Sequence, residues 1–281
     1  MEKILLLVDA LNFKGETLDF AAYISKSGKA KIVGIFVENQ VLETAPSVKT
    51  IGGTAYVEEI VLDTEEQKRQ NELLQKNIAA FKSGCIQREV MAVVHQDPGD
   101  PFERIIEESR YADLIIADPS FSFDGDTMVP SEFIMEILGK AECPVLIAPE
   151  DFETIDEIVM AYDGSRSAAF AIRQFYYQLP KFSDKRMTVL HIHKNEIKKD
   201  SKENALLKEW LDMHFSKVSF LELTGDVREV LFEYFMTHSQ QNNKLLVTGA
   251  FGRNFISTFF KPSAAELVLK AIDIPIFITH H

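Results

Sequence analysis

Cysteine and tryptophan are scarce in this chain of 281 residues, which has two cysteines, Cys85 and Cys143, and one tryptophan. Two cysteines so far apart in sequence exclude a disulfide framework and favour buried thiols in a reducing compartment. Long apolar runs are missing as well, because nothing approaches the roughly 18 consecutive apolar residues of a membrane-spanning helix. The apolar stretch at the N-terminus is too short for a signal peptide. We therefore expect a cytoplasmic protein with no membrane partner.

Basic residues are also fewer than acidic ones. The 30 Lys and Arg residues are outnumbered by 43 Asp and Glu residues, so the formal net charge is −13. An acidic surface repels the phosphates of nucleic acids, and we expect no nucleic acid as a partner. A phosphate-binding site in this chain would need local hydrogen-bond donors, because the overall field opposes an anion.

The motifs of three large enzyme classes are absent from the sequence. It contains no Walker lysine motif, no G-x-G-x-x-G and no G-x-S-x-G. P-loop, dinucleotide redox and serine hydrolase functions therefore have no support.

Short apolar runs alternate with amphipathic segments, and the whole order occurs twice. Residues 4–9 form an apolar run that ends in Asp, and residues 158–163 repeat it. Such alternation is typical of βαβ units with a parallel sheet. The repeat predicts two α/β domains, residues 1–150 and 156–281, joined by a short acidic linker.

The predicted elements follow from the period of the apolar residues. Strands are predicted at 4–9, 31–37, 89–95, 114–117, 144–148, 158–163, 187–193, 218–223, 245–248 and 274–278. Helices are predicted at 17–25, 65–83, 102–110, 132–141, 168–179, 203–215 and 227–238. Residues 38–64, which include Pro46 and Gly52-Gly53, show no clear period and are expected to form a loop with at most a short helical piece.

A glycine-bearing loop follows the strand predicted at 245–248. Gly249 and Gly252 end this apolar run, and nine residues later Pro262-Ser263 opens an amphipathic segment. Strand, glycine loop and helix start in this order are typical of a phosphate site, because backbone N–H groups at a helix N-terminus face the anion.

These residues together resemble a tandem universal stress protein. Each copy begins with a strand that ends in Asp, at Asp9 and Asp163, and closes with an X-Pro-hydrophobic strand, at Pro144 and Pro275. The glycine loop has the spacing of the family's ATP-binding branch. The resemblance covers essentially the whole chain. It implies two tandem doubly wound (Rossmann-like, HUP-type) domains, each a mainly parallel five-stranded sheet with helices on both faces.

The resemblance also implies a function and a set of site residues. It implies a non-catalytic stress-response protein whose second domain binds an adenine nucleotide, ATP with Mg²⁺. The matching positions are Asp163, Gly249, Gly252 and Ser263, and the adjacent Arg253 is included in the predicted site. It further implies pairing through the last strand, either within the chain or in a homodimer.

The chain departs from the family pattern at several positions. Pro262 replaces the last glycine of the motif and has no N–H, and a lost hydrogen bond to a charged group costs about 1.5–3 kcal/mol. Arg253 and Lys261 flank the loop and could offset part of this loss. In the first copy, residues 118–121 (Asp-Pro-Ser-Phe) stand where the glycine loop stands later. The first domain is therefore expected to carry a degenerate nucleotide motif.

Acidic residues in the first copy suggest two other kinds of site, a phosphatase-like nucleophile and a divalent cation site. Asp124-Gly-Asp126-Thr127 superficially matches the start of phosphoaspartate phosphatases. Ser122 and Gly125 break the context, and a strand is already predicted to end at Asp118, so a solvated acidic loop is favoured. A divalent cation could bind a wider set of acids, although spacing alone gives little support. That set is Asp97, Asp100, Asp118, Asp124 and Asp126.

Two other groups have a structural and a functional interpretation. His191 and His193 share one face of a predicted strand, but no third metal ligand is evident nearby, so packed or solvated histidines are favoured. The pair His280-His281 is interpreted as a tail. The aromatic segment 251–260 is favoured as core or domain interface over a surface for a protein partner or a lipid-like ligand.

Two alternatives to the non-catalytic nucleotide-binding protein stay open. One is a scaffold or dimerisation protein whose nucleotide sites have decayed. The other is a slow ATPase, or an enzyme that phosphorylates itself at Ser263, for which Asp163 is the one candidate base.

Overall fold

The computed structural model of the chain describes residues 1–37, 44–51, 54–61, 65–96, 100–122, 129–193, 202–238, 243–249 and 273–279. The first half contains, in order, β1 (Lys3–Asp9), α1 (Gly15–Gly28), β2 (Lys31–Val37), β3 (Thr44–Ile51), β4 (Thr54–Val61), α2 (Glu65–Gln87), β5 (Ala92–His95), α3 (Pro101–Ser109), β6 (Leu114–Ala117), α4 (Glu132–Lys140) and β7 (Val145–Ile147). The second half contains β8 (Glu157–Tyr162), α5 (Arg166–Gln178), a 3-10 helix (Pro180–Asp184), β9 (Arg186–His193), α6 (Lys202–His214), β10 (Val218–Thr224), α7 (Val227–Thr237), β11 (Lys244–Gly249) and β12 (Ile276–Thr279).

One sheet of ten strands runs through both halves, in the order β10-β9-β8-β11-β12-β7-β6-β1-β2-β5. Neighbouring strands in this sheet are parallel except β7 and β12, which are antiparallel. Each half contributes five strands in the same relative order, with its first strand in the middle and its last strand at the junction. The predicted α/β fold with a mainly parallel sheet is confirmed.

Two apolar cores lie on opposite faces of the sheet. Along β1, Ile4 and Leu6 belong to one core, and Leu5 and Leu7 belong to the other. Helices α1, α2, α5 and α6 cover the first core, whereas α3, α4 and α7 cover the second. Because both faces of the central strands are covered, these strands must be apolar throughout, which is why they read as continuous apolar runs in the sequence.

The last strands of the two halves pair with each other within the chain. The partners are Val145↔Ile278, Leu146↔Phe277 and Ile147↔Ile276, and all of these side chains are buried. This is one of the two arrangements that the family resemblance implies. The division into domains 1–150 and 156–281 stays a prediction.

The acidic segment between the halves is held in place by hydrogen bonds. The backbone N–H groups of Glu150 and Asp151 donate to the carboxylate of Asp273, at 2.6 and 2.9 Å. Phe152 packs edge-on against Phe20, with ring centroids 4.9 Å apart. The connection is therefore attached to both halves.

The predicted loop at 38–64 was wrong in part, because β3 and β4 form an antiparallel hairpin there. The register ends at Ile51↔Thr54, so only Gly52 and Gly53 separate the strands. A Gly-Gly pair between two runs of β-branched and polar residues is a hairpin signal, but these strands contain no continuous apolar run.

Smaller differences concern the boundaries of elements. Helix α2 continues to Gln87 instead of ending near residue 83, and β5 begins at Ala92 instead of residue 89. Between them, Glu89 has a φ of 54°, and the N–H of Val90 donates to the carbonyl of Cys85. The helix and its C-terminal turn therefore occupy residues that the period assigned to the strand.

Both cysteine thiols are free and buried, as predicted. Burial raises the pKa of Cys85 to about 11 and that of Cys143 to about 12, so both thiols stay protonated at neutral pH. Among the helices of the described residues, none has the length and apolar character needed to cross a membrane.

A buried ion pair connects β8 to β11 in the second half. Lys244 Nζ donates to Glu157 Oε2 at 2.5 Å, and Thr188 Oγ1 donates to Glu157 Oε1 at 2.6 Å. The Lys244 and Glu157 side chains are 8% and 11% exposed. Burial opposes ionisation of Glu157, but the hydrogen bonds from Lys244 and Thr188 outweigh it and lower the pKa of this carboxyl.

Replacing Lys244 with Ala should lower the free energy of unfolding by about 3–5 kcal/mol, because it leaves a buried carboxylate without its cation. The matched control is Lys140→Ala, which removes an exposed pair with Glu136 and should change the free energy by less than about 1 kcal/mol. Urea unfolding followed by circular dichroism measures both. Equal losses in the two variants would contradict this account.

The same pair should make stability depend on pH in a defined window. The pKa of Glu157 is lower in the folded state than its ordinary value of 4.5, so the stabilisation is fully present above 4.5 and is lost as the pH falls through the folded pKa. Urea unfolding below pH 4.5 should therefore show a shallower loss for Glu157→Gln than for the unchanged chain. Parallel pH profiles would rule out this role.

Candidate functional site

The strand order reverses once in each half, and these two places define the candidate sites. In the first half the reversal lies between β1 and β6, and in the second between β8 and β11. In open α/β sheets, ligands bind in the crevice at the carboxyl ends of the strands at such a reversal. The candidate sites therefore lie at the loops after β1, β6, β8 and β11.

In the second half, the loop after β8 is shaped around Asp163. Asp163 Oδ1 accepts from the N–H of Ser165 at 2.9 Å. Gly164 between them has a φ of 81°, a conformation that side-chain-bearing residues rarely adopt. Ser165 then caps α5, because its Oγ accepts from the N–H of Ala168 at 3.1 Å. The sequence Asp-Gly-Ser thus forms a tight turn with a half-buried carboxylate.

Gly249 lies at the same edge of the sheet, at the end of the strand next to β8. The register Val247↔Met160 places it beside the last residue of β8, directly before Asp163. A Cβ at Gly249 would lie 2.5 Å from the backbone C and O of Ser167. Gly249 is therefore required for the close packing of β11 against the start of α5, a role that the sequence did not reveal.

The other predicted nucleotide residues are Gly252, Arg253 and Ser263, and they lie outside the described residues, as do Pro262 and the aromatic segment 251–260. Of the predicted set, the structure places Asp163 and Gly249 and brings them to one edge of the sheet. The contribution of the other three stays a prediction.

In the first half, the equivalent place contains a cleft of about 210 Å³. Most of its polar lining comes from the end of β1 and from the loops after β1 and β6. These residues include Asp9, Asn12, Lys14, Asp118 and Ser120. Asp9 Oδ1 accepts from the N–H groups of Leu11 and Asn12, at 2.9 and 3.0 Å, so this acid shapes its own loop.

The lysine of this cleft is already paired with a carboxylate. Lys14 Nζ lies 2.5 Å from Asp118 Oδ2 and donates to Ser120 Oγ at 2.9 Å. Asp118 directly follows β6 and thus occupies the position that Gly249 occupies in the second half. A carboxylate there repels a polyphosphate, and it neutralises the cation that would attract one.

Two of the five acids considered as a cation site are described, and both have other partners. Asp100 caps α3 by accepting from the N–H groups of Phe102 and Glu103, and Asp118 pairs with Lys14. Asp97, Asp124 and Asp126 lie outside the described residues, as does the phosphatase-like Thr127.

The two strand histidines do have a potential third ligand nearby, contrary to the interpretation of the sequence. Glu222 of β10 is the register partner of His191, and its carboxylate lies within 4.8 Å of ligand atoms of both His191 and His193. Sequence spacing could not reveal this group, because 28 residues of chain separate Glu222 from His193 and only the β9–β10 register brings them together. His280 and His281 lie outside the described residues.

Neither a protein-family model nor a curated protein matches the sequence. The chain is nevertheless similar in structure to a universal stress protein from Archaeoglobus fulgidus DSM 4304, with a TM-score of 0.68, 16% identity, and coverage of 99% of this chain and 96% of that one. A protein assigned to the universal stress proteins from Pseudomonas aeruginosa UCBPP-PA14 aligns with a TM-score of 0.59 and 14% identity over 100% of this chain and 93% of its own.

A third solved structure, a functionally unknown protein from Pseudomonas aeruginosa PAO1, aligns with a TM-score of 0.57 and 14% identity over 100% of this chain and 92% of its own. Identities this low show the fold and leave the function open. The chain has the universal-stress-protein fold along its whole length.

Gly249→Ala should lower the free energy of unfolding by about 1–3 kcal/mol, because the new methyl group would overlap the Ser167 backbone. Gly139→Ala in α4 is the matched control, since nothing lies within 4 Å of its Cβ, and it should be neutral or stabilise by up to about 1 kcal/mol. Urea unfolding of both variants makes the comparison. An unchanged Gly249→Ala variant would show that α5 does not pack as described.

Proposed function

We propose that the chain is a universal-stress-type protein of the stress response that binds an adenine nucleotide, ATP with Mg²⁺, in its second half without turning it over. The observation that carries the proposal is the placement of Asp163 and Gly249 at the β8–β11 reversal, where a ligand crevice is expected. The fold shared with universal stress proteins along the whole chain adds support.

Each residue of the proposed site has a distinct task. Asp163, in its preformed turn, would lie beside the nucleotide. Gly249 lets α5 approach β11, and Gly252 would allow the backbone to approach the phosphates. Arg253 would supply positive charge, and Ser263 would supply a hydroxyl and a backbone N–H at the start of a helix, where an anion is favoured. Mg²⁺ would enter with the phosphates and neutralise part of their charge.

We propose one nucleotide per chain. The first-half cleft holds Asp118 where the second half holds Gly249, and its Lys14 is already neutralised. A triphosphate there would have to displace an ion pair and face a carboxylate, so the second half is the better site.

The chain is further proposed to consist of two domains, 1–150 and 156–281, and to act in the cytoplasm. The β7–β12 pairing uses the last strand of each half within one chain. A homodimer would therefore have to form through another surface.

A scaffold without a nucleotide is the second candidate, and one observation favours it. The contact of Gly249 with Ser167 explains this glycine by packing alone, so its presence does not require a ligand.

The proposal predicts that purified chain releases an adenine nucleotide on denaturation, identified by mass spectrometry, and that ATP–Mg²⁺ raises its unfolding temperature. At 100 times its dissociation constant the ligand should stabilise by about 2.7 kcal/mol. Gly252→Ala should abolish the shift and Asp163→Asn should weaken it, whereas the control Gly139→Ala should keep it. Calorimetry should give one site per chain.

Three outcomes separate the alternatives. If the extract contains no nucleotide and ATP–Mg²⁺ does not shift the unfolding temperature, the scaffold function is favoured. A shift that survives Gly252→Ala would place the nucleotide elsewhere. Phosphate release that disappears in Asp163→Asn would make the protein an enzyme, contrary to the proposal.

A further inference from the structure

The carboxyl ends of β9 and β10 bring together two imidazoles and a carboxylate. His191 and His193 are two residues apart on β9, so their side chains leave the same face of the sheet. Glu222 on β10 is the register partner of His191 and lies on that face as well. A slip of one residue in this register would send the carboxylate to the opposite face.

The distances among the three groups are short. His193 Nε2 lies 2.5 Å from Glu222 Oε2, and His191 Nδ1 lies 3.6 Å from Glu222 Oε1. The two imidazole rings have centroids 4.0 Å apart. One ligand atom from each residue lies within 4.8 Å of the other two. Ligands held at about 2.0–2.2 Å from one Zn²⁺ lie roughly 3.3 Å apart, so small side-chain rotations would complete such a set.

We propose that His191, His193 and Glu222 form a binding site for a divalent first-row transition metal ion, with Zn²⁺ as the ion that suits them. Two imidazoles and one carboxylate are a frequent zinc ligand set and leave a fourth position for water or another ligand. Imidazole nitrogen also discriminates against Mg²⁺, which prefers oxygen ligands throughout.

The group lies between the core and the solvent. His191 is 6% exposed, and the His193 side chain is 14% exposed. The Glu222 side chain is 41% exposed, so an ion can reach the group from solvent.

The first half shows that the fold does not require an imidazole at the position of His191. Val8 in β1 and Tyr162 in β8 occupy equivalent positions, because each directly precedes an Asp at the end of the apolar run. The register partner of Val8 is Phe36, and that of Tyr162 is His191. The first half therefore has a buried phenylalanine where the second has His191. A buried imidazole is costlier there than an apolar side chain unless a partner satisfies it.

His95 and Glu108 in the first half provide a comparison. His95 Nδ1 lies 2.9 Å from both carboxylate oxygens of Glu108, and Lys3 Nζ lies 3.4 Å from the same carboxylate. In this pair, Lys3 supplies a cation for the carboxylate, and His95 is the one imidazole. The second-half cluster instead has two imidazoles, His191 and His193, beside one carboxylate, which is the composition of a metal ligand set.

The site shares no residue with the proposed nucleotide site and does not depend on it. The test uses the full chain stripped of metal with a chelator and contains no nucleotide. Zn²⁺ is titrated by calorimetry, and Co²⁺ is followed by its visible absorption. One Zn²⁺ per chain should bind, Co²⁺ should give the spectrum of a low-coordinate nitrogen–oxygen site, and Mg²⁺ should not compete.

Glu222→Gln and His193→Gln should each weaken Zn²⁺ binding by at least about 10–100-fold, the loss seen when even an indirect partner of a metal ligand is removed. Zn²⁺ should also raise the unfolding temperature of the unchanged chain and leave that of Glu222→Gln unchanged. Because Glu222 is partly exposed, this variant should fold even where His193→Gln does not.

Two controls make the result specific. His95→Gln removes the matched histidine–glutamate pair, and His280→Gln with His281→Gln removes the terminal histidines, so both variants should bind Zn²⁺ as the unchanged chain does. The proposal is overturned if the unchanged chain binds no Zn²⁺, if Glu222→Gln binds it equally well, or if binding is lost only with His280 and His281.

Discussion

The antiparallel contact between β7 and β12 is the interaction on which the architecture depends. Three buried pairs from Val145↔Ile278 to Ile147↔Ile276 join two sets of five parallel strands into one sheet. Without this contact, each half would expose the backbone N–H and C=O groups of a hydrophobic edge strand, which would invite pairing with other chains. With it, both helical layers extend over the junction, and Leu146 and Phe277 share a core with side chains from both halves.

Each half then uses the same edge of the sheet for different chemistry. In the first half, Lys14 and Asp118 neutralise each other within the cleft, so this place favours stability over anion binding. In the second half, Gly249 occupies the corresponding position and lets α5 approach, and Asp163 is held in a turn. One strand further out, His191 stands where the first half has Phe36. The two halves thus share the order of their strands and differ in the side chains at the strand ends.

Much of the fold could be predicted from the sequence, since strands buried on both faces leave continuous apolar runs that are hard to mistake. The hairpin of β3 and β4 could have been recognised from Gly52-Gly53, but its strands alternate and lack such a run. Of the candidate site, the positions of Asp163 and Gly249 at the ends of their strands could be predicted, because each directly follows or ends a local apolar run. The packing role of Gly249 could not, because it depends on how closely Ser167 approaches.

By itself, the sequence determined the alternation of strands and helices, its recurrence in the second half and the His-x-His pair, because each of these depends on neighbours in the chain. Only the tertiary structure decided that Lys14 pairs with Asp118, that Lys244 pairs with Glu157 and that Glu222 joins the histidines. The physical reason is the register of the parallel strands and the packing of the helices on them. These bring together groups that lie 29 to 104 residues apart in the chain, and local spacing does not reveal such long-range contacts.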